Sequence, residues 1–379
     1  MKPIHTLLPI GAAVVAALAF SGQASRWLVL ILLLPVLVAW TPARWLAALT
    51  MATYAAVMTR GIPASVITYY ADPAPLTAYG LWLALIVLYA GLGALLWHPD
   101  ARQRQWRIPV LLLLWTLPPF GLIGWGNPLT ATGWLLPGTG WVGLLVVIPL
   151  LMGCSRYPVM LILPGLLVVI PLSGPAFQAP LTAPAGWHTH STRYPMATAS
   201  RPESRQIEFT RHQALIRQLT DQPFQLYPEA VGGRWNPVAA RWWQRQLQPG
   251  QTVLIGATTT EAGRQYNSVI EITPAATRAV YHQRMPLPVT MWKPGPDGYS
   301  PNWSQPDTVR IGQTRTAILL CNEILLAAPA LQSLSRHPQQ LVTLASVWWA
   351  PAYVHPVQSA TAQSWARLFG LPLLEAFNG

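Results

Sequence analysis

Cys321 is the residue of this chain best placed for covalent chemistry. The stretch Thr314–Leu331 (TRTAILLCNEILLAAPAL) reads as a short apolar strand that runs into the cysteine and then turns into a helical segment. A thiol at a strand-to-helix turn is where α/β enzymes present a nucleophile, and the N–H of the next residue can face a developing oxyanion. The same position also suits a small buried hydrophobe, so both readings stand at this point. The other cysteine, Cys154, lies in a different half of the chain, and no disulfide between the two is expected. His188 and His190 stand two apart on a predicted strand and could face one metal ion. No Asp or Cys completes a ligand set, so exposed strand histidines are the simpler expectation. There is no phosphate-binding loop and no Ser-His-Asp order, and no cofactor is implied.

Composition separates two halves. The chain is 52% hydrophobic and only 9% charged, against about 25% charged in average globular proteins. Residues 1–180 carry two acids, Asp72 and Asp100, and the other ten lie in the second half. A polytopic helical membrane domain is therefore expected over 1–175. A proline- and alanine-rich linker follows at 176–186, within GPAFQAPLTAPAG, and a water-soluble domain occupies 187–379. Spans of roughly 17–25 apolar residues fit seven places: about 6–23, 27–43, 44–59, 78–97, 108–125, 139–154 and 157–173. The first resembles a signal peptide but is read as retained. The loop His98–Arg107 holds three arginines and belongs in the cytoplasm. Seven spans from an inside start put the second half in the periplasm of a bacterial inner membrane. Asp72 then falls in an outer loop, where a solvated acid is the simpler reading. The net charge of +12 comes without a dense basic run, which argues against nucleic acid and for an anionic lipid or wall surface.

The second half alternates strands and helices, the pattern of an α/β domain. A first strand is expected at HTHSTRYP and a helix over 201–220. Strands follow at 224–227, 252–257, 266–273, 278–284, 309–320, 340–346 and 373–377, with helices over 237–248 and 355–369.

Four short motifs then occur in a telling order: Tyr227-Pro228-Glu229, Tyr266-Asn267-Ser268, Tyr281–Arg284 (YHQR) and Cys321-Asn322-Glu323. In that order they resemble the carbon–nitrogen hydrolase (nitrilase) superfamily. LASVWWAP and WARLFGLPLLEAFNG match it more loosely. A multi-span N-terminal half is similar to the apolipoprotein N-acyltransferase branch. The combination YPEAVGG, YHQRMPLPVTMWKP and LLCNE looks more like the TraB-type conjugal transfer proteins, encoded with plasmid transfer systems. The resemblance implies an α-β-β-α sandwich and a glutamate–lysine–cysteine site. Carried over, Glu229 is the base and Cys321 the nucleophile that forms a thioester. Glu323 either orients the site or is a helix-start acid satisfied by the dipole. The chain stops at Gly379, where other members add strands, so the sandwich is expected to be truncated at its C-terminal edge.

The pattern breaks at the lysine, whose place is taken by Gln283. The chain has only Lys2 and Lys293. Gln283 could donate a neutral hydrogen bond to the oxyanion, Arg284 or Lys293 could supply the charge, or the site could have kept its shape and lost its chemistry. The acyltransferase loop glutamate is also missing from Pro288–Lys293. Three functions follow. One is a conjugal transfer membrane protein acting on amide or acyl substrates. The second is an inactive scaffold that binds conjugation-apparatus or envelope proteins. The third is an apolipoprotein N-acyltransferase using membrane lipid, against which both departures count.

Overall fold

The computed structural model describes residues 7–70, 75–161, 182–196, 204–292 and 298–379. They divide into two units, Met1–Leu181 with Ala350–Gly370, and Thr182–Trp349 with Leu371–Gly379.

In the first unit the helices run α1 Leu8–Ala19, α2 Leu34–Ala39 (entered through a 3-10 stretch, Ser25–Leu33), α3 Arg44–Met58, α4 Ile62–Tyr70, α5 Pro75–Leu96, α6 Ala101–Thr116, α7 Thr132–Leu135 and α8 Gly140–Arg156. Asp100 caps α6 by accepting from the Arg102 N–H at 2.9 Å, the usual work of an N-cap acid. The segment expected to span at 108–125 stops at Thr116. Pro118 and Pro119 explain this, because proline restricts the residue before it and removes donors. The irregular chain that follows turns from exposed at Leu117–Pro119 to buried by Gly126, and side chains hold it. Tyr54 donates to the Gly126 carbonyl at 2.9 Å, Tyr89 to the Ile123 carbonyl at 2.8 Å, and Asn127 to Thr116 Oγ1 at 3.0 Å.

Among the described residues one helix, α5, is long and apolar enough to cross a bilayer. Pro128–Leu135 and Gly140–Arg156 pass that test only as a pair bent by 109°. The expected span at 157–173 lies mostly outside the described residues. Residues 350–370, from the second half of the sequence, cluster with these helices. Their helix, Val354–Phe369, ends on Gly370 in the left-handed region (φ 65°), as helix C-caps often do. Trp134 Nε1 donates to its Ala360 carbonyl at 3.0 Å. A side chain on Gly133 would run into the Ser364 carbonyl, which makes glycine necessary there.

The second unit is an α/β domain with two mixed sheets. One has the order β1 (Trp187–Thr189), β2 (Phe224–Leu226), β3 (Thr252–Glu261), β4 (Arg264–Ile272), β5 (Thr277–His282). The first three run parallel and the last two pair antiparallel. The other has β6 (Val309–Ile311), β7 (Thr314–Leu320), β8 (Gln340–Ser346) and β9 (Leu373–Asn378), with β7, β8 and β9 parallel. The strand expected over 309–320 is thus a hairpin turned at Gly312, whose φ of 55° suits glycine. α9 (Arg205–Ile216) and α10 (Pro237–Gln246) follow β1 and β2, and α11 (Ala327–Leu334) follows β7. The helix Val354–Phe369 is α12.

Period-two alternation explains the layers. Leu254, Val269 and Tyr281 face Ile318, Leu320, Val342 and Leu344 of the other sheet in one core. Val253, Ile255 and Ile270 face the opposite way and pack with Leu215 and Trp243 of α9 and α10 in a second core.

Candidate active site

The end of β7 delivers the thiol. Cys321 follows Leu320 and starts a short 3-10 turn, Cys321–Leu325, with φ at 54°. A non-glycine residue in that region is strained, and such strain is held by its surroundings. Here the holder is Glu323. Its carboxylate is fully buried and accepts from the N–H of Leu320 at 3.0 Å, of Arg284 at 2.6 Å and of Met285 at 3.2 Å, and from the Tyr281 hydroxyl at 2.7 Å. It ties the entry to the elbow to the end of β5. Glu323 is thus engaged with the backbone of the elbow and of the end of β5.

A second buried acid, Glu229, lies on the turn after β2. It is 3% exposed, and Cys321 is 6% exposed. The thiol and the carboxylate lie close enough that each perturbs the protonation of the other. Glu229 also accepts from Asn267 Nδ2 and from the Ser346 N–H, each at 2.7 Å. Burial pushes its carboxyl up to about 7, against the hydrogen bonds from Cys321, Asn267 and Ser346, while the charge of Glu323 raises it further. Burial and the Glu229 charge together push the Cys321 thiol well above its usual range. The backbone N–H groups of Ser346 and Asn322 pull its proton affinity the other way.

Gln283 is fully buried beside this pair. Its Nε2 donates to the Leu320 carbonyl at 2.9 Å, and its Oε1 accepts from Asn267 Nδ2 at 2.9 Å. Asn267 thus spends its amide on both Glu229 and Gln283. The position expected for a lysine belongs to a hydrogen-bonded ladder that runs from Glu229 through Asn267 and Gln283 to Leu320, the residue before Cys321. Arg284 does not supply the charge there. Its guanidinium donates to Ser333 Oγ at 2.8 Å, Tyr281 Oη at 2.9 Å and the Pro306 carbonyl at 2.7 Å, on the Glu323 side. Lys293 and Asp72 lie outside the described residues.

Asn267 and Ser346 were not singled out by residue chemistry. A polar side chain among the buried residues of β4 was the available signal for Asn267. Ser346 acts through its backbone, which no sequence pattern reports. Its place is fixed by Asn378 of β9, which donates to Ser346 Oγ at 3.0 Å and accepts from Thr192 and from the Tyr194 N–H. His188 is exposed, but His190 is buried, stacked on Tyr227 at 3.9 Å and bonded to Gln225 at 3.0 Å. The expectation of two exposed histidines fails at His190 because that ring completes the core over Tyr227. Among the described residues no three His, Cys, Asp or Glu side chains converge as a metal site.

Gly256 on β3 passes directly beneath the acid. A Cβ there would collide with the Glu229 backbone and lie 2.8 Å from Ala230 N and the Pro228 carbonyl. Gly256→Ala is therefore expected to lower stability by about 1–3 kcal/mol and to displace the carboxylate. Thermal melts beside thiol alkylation kinetics check this, and an unchanged alkylation profile would refute it.

The two-sheet sandwich, with a cysteine elbow beside a buried glutamate, defines an α/β domain. Relatives make the assignment narrower. The chain is 32% identical to the conjugal transfer protein TraB of Agrobacterium fabrum, covering 98% of this chain and 92% of that protein. It is 31% identical to the probable conjugal transfer protein TraB of Sinorhizobium fredii, covering 98% and 97%. The chain belongs to the TraB conjugal transfer protein family. Among solved structures it is similar to a CN-hydrolase superfamily protein of Xanthomonas campestris, at 12% identity and a TM-score of 0.37 over 50% of this chain and 74% of that one. No family model matches.

Proposed function

We propose that this is an inner-membrane protein of plasmid conjugal transfer whose carbon–nitrogen hydrolase-like domain, in the periplasm, acts on an acyl or amide substrate through Cys321 and Glu229. The observation that carries the catalytic part is that the buried Cys321 thiol and the buried Glu229 carboxyl each perturb the protonation of the other. In this reading the Sγ–H proton passes to Glu229 as sulfur attacks the acyl carbon. Glu229 returns that proton to the leaving amine or alcohol as its bond to the acyl carbon breaks. A thioester remains, for water or an amine to resolve. The membrane placement is supported by α5 and by apolar side chains that stay exposed on the helices, among them Leu83, Val87 and Leu95 of α5 and Leu145 of α8. Large exposed apolar surface marks contact with lipid or partner.

A carboxyl titrating near 7 is a base matched to neutral pH. Labelling of membranes by an alkyne-bearing acyl ester is expected to rise with pH through about 7, as Glu229 loses its proton. Cys321→Ala should abolish labelling, and Glu229→Gln should lower it about 100-fold. Label that persists on the Ala variant would sink the enzymatic reading.

The absence of a lysine at Gln283 favours a second reading, a scaffold that keeps the shape of the site and binds partners of the transfer apparatus. Plasmid transfer at the normal frequency with Cys321→Ala in place of the native chain would select it.

A further inference from the structure

The outward faces of α9 and α10 carry a pattern that the acyl-transfer site does not use. Phe209 of α9 is 50% exposed and stacks on the half-buried Trp242 of α10, with ring centroids 4.7 Å apart and planes 13° from parallel. Val238, one turn before Trp242, is 69% exposed. Arginines alternate with these side chains at helical spacing. Arg205 stands four before Phe209, Arg241 three after Val238, and Arg245 three after Trp242, all exposed. Residues three and four apart share a helix face, so the six form one surface of apolar centres and cationic flanks. α10 contains no acid. The one acid of α9, Glu208, is turned to the Arg234 N–H at 3.4 Å.

We propose that this face docks on the surface of a bilayer rich in anionic phospholipid, with Phe209, Trp242 and Val238 entering the interface and Arg205, Arg241 and Arg245 meeting phosphate. Charge complementarity selects the occupant. Arginine beside exposed aromatic and aliphatic groups is the composition of interfacial helices, and tryptophan favours the headgroup level. The Phe209 and Trp242 rings are stacked on each other, which suits insertion as a ridge better than stacking on nucleic acid bases. The inference rests on the membrane placement proposed above and deepens it. The face flanks the loop that holds Glu229, since Arg211 of α9 donates to the Val231 carbonyl at 2.8 Å. Docking there would bring lipid acyl groups near the nucleophile.

The test uses the full chain reconstituted in nanodiscs, with a Val238→Cys variant labelled by an environment-sensitive fluorophore. In discs of phosphatidylglycerol and phosphatidylethanolamine the emission should shift to the blue, and iodide quenching should fall several-fold relative to phosphatidylcholine discs. High salt should reverse the shift, because exposed charges are screened beyond about 3 Å at 1 M. The combined variant Arg205→Glu, Arg241→Glu, Arg245→Glu should abolish it. Equal quenching in both discs overturns the inference while leaving the membrane placement intact. Shielding that appears only on adding single-stranded DNA, or only with two chains per disc, also overturns it. A chain that elutes apart from the discs overturns the membrane placement and this inference together.

Discussion

Gln283→Lys is expected to raise the rate of acylation of Cys321 by about 100-fold at neutral pH, the scale of one oxyanion donor. The reason lies in the charge of the site. Glu229, Asn267, Gln283 and Cys321 form a buried group that holds one ionisable acid and no cation. At 4 Å and an effective dielectric of 20, a unit charge is worth about 4 kcal/mol to an anion. An ammonium at position 283 retains the Leu320 carbonyl as acceptor and adds Glu229 as counter-ion. It should draw the first deprotonation of the Cys321–Glu229 pair below the present value of about 7. Iodoacetamide alkylation against pH, beside acyl-ester labelling at pH 7, measures both effects. An unshifted alkylation midpoint would show that Gln283 does not sit where charge matters. The sign for stability is also fixed. The folded Glu229 binds its proton more tightly than the unfolded chain does, so its contribution to stability declines as pH climbs from the ordinary carboxyl range towards 7.

Glu323→Ala carries the second large effect, a loss of about 3–5 kcal/mol. The carboxylate is buried and accepts four hydrogen bonds, three of them from backbone N–H groups that have to be satisfied. Its removal also strips the compensating charge from Arg284, which is 1% exposed. At roughly 2–4 °C per kcal/mol for a domain of this size, the melting temperature should fall by about 10 °C. Glu323→Gln should fall less, because an amide oxygen still accepts from two of the donors. A melting temperature unchanged in the Ala variant would mean that the elbow is held by something other than this acid. The predicted defect is structural, so Cys321 reactivity should be lost together with thermal protection and restored with it in the Gln variant.

Much of the second half could be read from local signals. The run Thr252–Ala257 alternates two faces along β3. The strand before Cys321 and the helix after it follow from hydrophobic period and β-branched content. The pairing of Glu229 with Cys321 came from motif order, because nothing local in YPEAVGG points to a partner in another sheet. The helical half was less legible. Apolar runs at 27–43 and 108–125 look like single spans, but hydropathy does not register where proline and buried polar contacts break a helix, as they do after Thr116.

The chain by itself singled out Cys321 and Glu229 and put glutamine at position 283, since these depend on residue type and order. Tertiary structure alone decided that Asn267 links Glu229 to Gln283, that Ser346 lends its N–H to the acid, that Arg284 is drawn to Glu323, and that Val354–Phe369 packs with the N-terminal helices. Each is a contact between distant segments, set by how sheets stack and which buried donors find acceptors, and no window along the sequence contains both ends of it.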